Sequence, residues 1–334
     1  VSLLWRFETG GVTDASPTLS ADGRTLFVTS WDHRLHALDA ATGRPRWSFD
    51  LGDFADASPA ASTEKVYAPA WNRRLACVDA GSGVERWSRY APPSPQDDHR
   101  QSSPVLSGDL LLHGGFDGVL RAYLAVTGHT AWELPTGGPI RSRPHPDGFV
   151  ASGDGTLYAF EPATGRRRWT FATKGPLLAS PAVAGGRVLV PSRDGFLYAV
   201  DSLTGALLWK YDGGARVEYS SPVVLPDGTV VYGDCDGVVH GVDASTGRRR
   251  WTFRAGAPVY APAVEAAGWV VAADNDGAVH FLDPRTGAPV ARFRAGGAVQ
   301  GLSSSPGGTV YAASRDHSVY ALQGPPRPAQ GDRP

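Results

Sequence analysis

Hydrophobic and polar positions alternate in short runs along this chain. Leu35 to Asp39 alternates as a strand does when one face is covered, and a second such run starts at Arg46. Between them stands Thr42-Gly43, a tight turn in which glycine takes a positive φ at no steric cost. The stretch Asp39 to Trp47 reads DAATGRPRW. It returns as DAGSGVERW, LAVTGHTAW, EPATGRRRW, DSLTGALLW and DASTGRRRW, ending at Trp87, Trp132, Trp169, Trp209 and Trp251. A further copy, DPRTGAPVA, keeps the turn and ends at Ala291. Successive end points lie 37 to 45 residues apart.

That period predicts an all-β fold, a β-propeller in which each repeat is one four-stranded antiparallel blade. Eight units of roughly 42 residues fill the chain as one closed ring, which overrules the two domains its length would suggest. A Ser-Pro pair or a relative opens each innermost strand, as at Ser16-Pro17, Ser58-Pro59 and Ser103-Pro104. Asp-Gly turns such as Asp154-Gly155 link the second strand to the third, and the outermost strand carries the Trp. Each such ring is expected to bury against the neighbouring blade with its indole N–H near a partner. Leu3 to Phe7 matches a Trp-bearing outer strand, while Ser314 to Leu322 has no outer strand after it. The N-terminal strand is therefore expected to complete the last blade and remove a free edge. The propeller is expected over residues 1–323, with 324–334 a disordered Pro-rich tail. In the seventh blade Trp269 is the candidate substitute for the ring missing at Ala291.

With one Thr-Gly turn and one Trp per blade from Trp5 onward, the chain resembles the PQQ-like, or tryptophan-docking, repeat family. That family includes quinoprotein alcohol dehydrogenases, BamB-type outer-membrane assembly lipoproteins and sensor domains of bacterial Ser/Thr kinases. The resemblance implies the eight-bladed ring and leaves the activity open, because one fold hosts many functions. The dehydrogenases hold their quinone beside an adjacent Cys pair and a metal-ligand carboxylate set. Here Cys77 and Cys235 stand alone in the second and sixth blades, so no PQQ or other cofactor is expected. No lipoprotein leader and no kinase domain accompany the repeats, although the chain fits the C-terminal part of a longer sensor.

A formal net charge of −1 gives no footprint for nucleic acid or an anionic membrane. No apolar run approaches the ~20 residues of a membrane span, and the chain starts without a signal peptide. A cytoplasmic monomer is the expectation, or an extracytoplasmic one if a leader was removed. The two cysteines are too far apart around the ring to pair.

Ligands of propellers meet one face near the central channel, built by the connections into the innermost strands and the turns between second and third strands. Aligning the repeats places Asp14, Asp56, Gln101, Arg141, Tyr219, Tyr260 and Gln300 just before the innermost strands. Arg143 replaces a serine, and Arg100 and Glu218 lie one step further out. Two arginines can hold a carboxylate or phosphate, whereas Asp and Arg on adjacent blades can equally pair with each other. The turns add Trp31, Asp32, His33, Trp71, Asn72, Arg73 and Phe116, beside an overlong connection carrying His99. An aromatic rim of this kind is a candidate recognition surface or simple packing over the blade ends.

Other constellations read as structure. GDCDG and ADNDG lack the spaced carboxylates of a calcium loop, and no His and Cys cluster reads as zinc. His36, His240 and His280 fill the third-strand slot that Tyr158, Tyr198 and Tyr320 fill elsewhere. No Gly-x-Ser-x-Gly elbow appears. The expected function is therefore non-catalytic: a scaffold or sensor recognising a protein partner or a small anion at the mouth. The rival is a lyase- or cyclase-like enzyme in the same mouth, with Tyr219 or Tyr260 as acid or base and Arg141 as anion clamp.

Overall fold

The computed structural model describes residues 1–94 and 102–326, and every regular element among them is a β-strand. Eight antiparallel sheets succeed one another in chain order. Blade 1 is built of Thr18–Leu19, Thr25–Thr29, Arg34–Asp39 and Pro45–Asp50. Blades 2 to 7 span residues 60–90, 105–135, 149–172, 182–212, 223–254 and 264–294. Blade 8 takes three strands from Val299–Ser304, Thr309–Ser314 and Ser318–Gln323, and its fourth from Ser2–Glu8 at the other end of the chain. Ser2 pairs with Gln323 and Glu8 with Ser318, so the ring closes by hydrogen bonds and presents no open sheet edge at the seam.

Blade 4 departs from the pattern. It has three strands, and its innermost strand is reduced to one bridge between His145 and Phe149. Pro144 and Pro146 flank that bridge, and neither has an N–H to give to a ladder.

The apolar core consists of wedges between blades. Leu35 and Leu51 of blade 1 pack on Val66 and Val78 of blade 2, and Leu112 and Leu120 of blade 3 pack on Val150 and Phe160 of blade 4. The seam is built likewise, from Trp5, Tyr311 and Val319 against Leu26 and Leu38. These side chains are apolar at alternate positions, so each strand sends one set to each neighbouring blade.

The tryptophans lock the wedges. A register shift just before each one, as between Ala37 and Leu38 opposite Pro45 and Trp47, bulges the outer strand and turns the ring toward the next blade. There it lies flat on the turn glycine. A Cβ on Gly43, whose φ is 71°, would sit 2.6 Å from the Trp5 ring. Trp47 covers Gly83 in the same way, and so on around the ring to Trp251 on Gly287. The indole N–H then donates to the neighbouring turn, Trp5 to Ala40 O at 3.1 Å and Trp47 to Ala80 O at 3.0 Å.

The exception at Ala291 has a physical cause. Elsewhere the Trp stands opposite a small residue, such as Ala37, Cys77 or Gly241, whereas Ala291 stands opposite Phe281. Large and small have changed places. Blade 8 has no Thr-Gly turn to dock on, because its third and fourth strands come from opposite ends of the chain. Phe281 instead packs on Gly324, and the Trp269 indole donates to Pro325 O at 2.9 Å. Phe281 and Trp269 thus share the contact at Gly324 that a single docked Trp makes on the turn glycine elsewhere.

The turns are also fastened by charge. Asp39 accepts the Thr42 N–H at 3.0 Å and a 2.8 Å contact from Arg46, and Asp79–Arg86 and Asp243–Arg250 repeat the pairing. The Arg46 bond, with Thr42, pulls the Asp39 carboxyl down from its ordinary 3.8 to about 2. Asp79, on Arg86, and Asp243, on Ser245 and Arg250, are pulled down likewise.

Two outcomes follow in denaturation experiments. Trp5→Ala should cost about 3 kcal/mol by emptying the seam, whereas Ala291→Trp should destabilise by colliding with Phe281. A gain in urea midpoint for Ala291→Trp would contradict the exchanged packing. A carboxyl with a lowered folded pKa stabilises above its unfolded value and loses that contribution as pH falls through the folded value. The melting temperature should therefore drop between pH 3.8 and about 2, the interval Asp39 spans. An Asp39→Asn, Asp79→Asn, Asp243→Asn chain should show a shallower drop in a pH series of thermal melts.

Candidate functional site

One face of the ring is fixed by a repeated backbone bond. In every blade but the third, the described residues show the residue before the turn's Asp or Asn donating its N–H to the connection entering the same blade. Trp31 donates to Val12 O, Trp71 to Phe54 O, Arg193 to Pro176 O, Cys235 to Arg216 O and Arg315 to Ala298 O, at 2.8 to 3.1 Å. Turns and connections therefore lie together around the mouth of the central channel. That channel opens a cavity of about 800 Å³. Asp14, Asp56, Arg141, Arg143, Tyr219, Tyr260 and Gln300 all line it, although blades 1, 2, 4, 6, 7 and 8 contribute them from far apart in the sequence. Arg100, Gln101 and His99 lie outside the described residues.

The side chains sort into pairs. The Arg141 guanidinium donates to the Tyr219 hydroxyl at 3.1 Å and lies over the Phe116 ring, 5.2 Å from its centroid. Tyr219 and Tyr260 meet edge to face at 6.0 Å. Gln300 donates to Asn275 Oδ1 at 3.1 Å. Asp14 faces Arg315 at 3.5 Å, and Arg315 also lies over the Trp31 ring at 5.6 Å. Arg315 was missed by the sequence reading, yet it occupies the same place in its turn as Trp31, which is the signal that finds it.

Several expectations are corrected. Glu218 is not among the residues lining the cavity: Arg193 of the blade 5 turn holds it at 2.9 Å and Arg216 of its own connection at 3.3 Å. Phe116 is not on the rim: it is 4% exposed beneath Arg141. Asp32 accepts the Gly10 N–H at 2.9 Å and pairs with His36 at 2.7 Å, so its carboxylate fastens the blade. Burial raises its pKa, but the His36 and backbone bonds outweigh that and leave it lowered. Asn72 likewise donates to Leu51 O and accepts from the Arg74 N–H. Where the third-strand slot is His or Tyr, it has this structural role in the other blades as well. His240 bonds Asp234 and His280 bonds Asp274 at 2.9 Å, while Tyr158 and Tyr198 donate to Asp154 and Asp194.

What remains on the rim is an aromatic cluster. Trp31 and Trp71 meet at 5.2 Å, and Phe54 sits 5.3 Å from one and 5.4 Å from the other, with His33 against it at 4.9 Å. Phe54 belongs to the connection into blade 2 and had no repeat signature. His33, Arg73 and His317 hold the turn position that is glycine in most other blades, at φ of 71°, 66° and 67°. These three left-handed residues stand on the successive blades 1, 2 and 8.

The relatives bear on this geometry. A profile of the outer membrane protein assembly factor BamB matches residues 2–145, 117–254 and 235–325. The chain belongs to the BamB family. The solved BamB of Moraxella catarrhalis superposes with a TM-score of 0.81 over 96% of this chain and 97% of its own, at 19% identity. Sqt1 of Saccharomyces cerevisiae gives 0.82 over 97% and 99% at 13% identity, and the designed Ika8 protein 0.80 over 95% and 97% at 19%. At such identities these structures share the fold. Protein Rv3035 of Mycobacterium tuberculosis is 56% identical over 46 residues, 14% of this chain and 11% of its own length. The beta-alanine-activating enzyme of Danio rerio is 44% identical over 63 residues, 18% of this chain and 6% of its own. This BamB-type chain thus matches only a short part of either curated relative. Among its described residues no helix is long and apolar enough to cross a membrane.

Phe54→Ala should remove the centre of the aromatic cluster. Because Phe54 is half-exposed, the expected loss is about 2 kcal/mol, below the range for a fully buried ring. A red shift of Trp31 and Trp71 emission checks it, measured as the difference from a Trp31→Phe, Trp71→Phe background.

Proposed function

We propose that this BamB-type propeller is a non-catalytic scaffold that holds a protein partner on the rim over blades 8, 1 and 2. The carrying observation is the coincidence there of half-exposed rings and strained turns. Trp31, Phe54 and Trp71 form one cluster, Arg315 lies on Trp31, and His317, His33 and Arg73 are the left-handed residues of three consecutive blades. A non-glycine residue in that region costs about 1–2 kcal/mol, and such strain collects where function holds it. Trp and Arg are the residues that dominate protein interfaces. The family's namesake is by name an assembly factor, which supports a protein as the partner.

The enzyme reading is less supported. Arg141, its anion clamp, is engaged with Tyr219 and Phe116. Burial, then Cys235 and Glu218, push the Tyr260 phenol up, which disfavours its use as a base. Cys77 is buried in blade 2 and Cys235 lies in blade 6, both free, so the paired thiols of the quinone enzymes have no counterpart.

The test is photo-crosslinking in the native host from a probe at position 73, followed by purification of the captured protein. A Trp31→Ala, Trp71→Ala chain should bind that protein at least about tenfold more weakly in surface plasmon resonance, with its melting temperature close to that of the parent. Unchanged affinity would reject the rim as the docking surface.

A further inference from the structure

The inner wall of the channel differs at blade 4. At three junctions between blades, the N–H of one opening residue donates to the serine hydroxyl of the next blade: Ser58 to Ser103 at 3.0 Å, Arg143 to Ser180 at 2.9 Å and Ser180 to Ser221 at 2.9 Å. Blade 4 has Arg143 where the repeat has serine, so no hydroxyl waits for Ser103, and its N–H has no acceptor among the described residues. The innermost strand of this blade is also the one reduced to a bridge. Pro144, His145 and Pro146 line the space where a strand would stand.

The Arg143 guanidinium makes no hydrogen bond or ion pair with any described residue. Its surface is open to the channel, while the walls of the ring surround it and push its pKa down. An arginine stays protonated under such a shift. Arg141, on the same connection, is instead tied to Tyr219 and Phe116. The acids of the cavity are elsewhere: Asp14 faces Arg315, and Asp56 enters blade 2. Asp147, near His145 at 3.7 Å, is 68% exposed. A lone cation in a narrow, water-filled channel attracts an anion more strongly than one on open surface.

We propose that the inner channel binds a small oxyanion, the phosphate or carboxylate group of a small molecule, on Arg143. The Ser103 N–H supplies a further donor. So do the hydroxyls of Ser103 and Ser180, whose oxygens accept backbone N–H groups and whose protons are free to turn into the channel. The cavity of about 800 Å³ accommodates the rest of a metabolite-sized ligand. Trp31 and Arg315 line the same cavity, but the donors to this anion stand on blades 3 to 5 rather than on blades 8, 1 and 2, and they do not need a protein partner.

Isothermal titration of the full chain at neutral pH and low ionic strength, with inorganic phosphate and separately with citrate, tests it. Saturable binding of one probe is expected. Arg143→Ser, which restores the serine that five other blades carry, should weaken it at least about tenfold, the worth of one charge-assisted bond. The same variant should lose the probe-induced rise in melting temperature. Phosphate bound in preference to citrate points to a phosphorylated ligand, and the reverse to a carboxylate. Failure of both probes to saturate overturns the proposal, and so does equal binding by parent and Arg143→Ser. Trp31→Ala should bind the probe as the parent does, and a loss there with none in Arg143→Ser would place the anion elsewhere.

Discussion

An indole lying flat on the backbone of a glycine in the next blade is the contact on which this structure depends. The glycine is required twice over, for its left-handed φ and for the missing Cβ that would meet the ring, as at Gly43 under Trp5. The ring is then held at its edge by one hydrogen bond to the same turn. No blade could bury its outer strand alone. Each depends on the one before it and supports the one after it, so the sheets hold together only as a circle. Where the circle meets the chain ends, the contact cannot take the same form. Phe281, Ala291, Trp269 and Gly324 rebuild it from different residues, with large and small exchanged across the strand pair and an indole bond made to Pro325.

The ring was legible in the sequence because its determinants are local and repeated. A turn, a Trp four residues later and a period are enough to place every blade, and the N-terminal strand identified its blade by carrying Trp5. The membership of the channel lining followed from the same alignment, since position in the repeat fixes position around the axis. What each lining residue touches did not follow. Glu218 with Arg193, Arg141 with Tyr219, and Arg315 with Asp14 are contacts between side chains of different blades. They depend on rotamers and on the few ångströms between neighbouring loops, which a linear pattern does not encode. Phe54 was invisible for a related reason: its position in the connection carries no repeated residue type, and only the approach of Trp31 and Trp71 gives it meaning.

The mouth is uneven. Over blades 8, 1 and 2 it is aromatic, cationic and built on left-handed residues that are not glycine. Over blade 4 an inner strand is lost and a guanidinium faces the channel. Neither departure disturbs the docking contacts, which lie at the outer edge of the blades, on the Thr-Gly turns. The outer half of each blade thus maintains the ring while the inner half is free to vary.

That division explains how strain at the rim is tolerated. A left-handed His33 or Arg73 would relax if its turn could move. Each turn is instead fixed at both ends, by the N–H of Trp31 or Trp71 on a connection carbonyl and by Asp32 or Asn72 on the preceding backbone. The carboxylate of Asp32 is in turn held by His36 from the third strand. Rigidity made by repeated, ordinary contacts therefore reaches the rings at the mouth. A partner meeting Trp31 and Trp71 finds them already ordered, so little side-chain entropy is lost on binding and more of the contact energy appears as affinity.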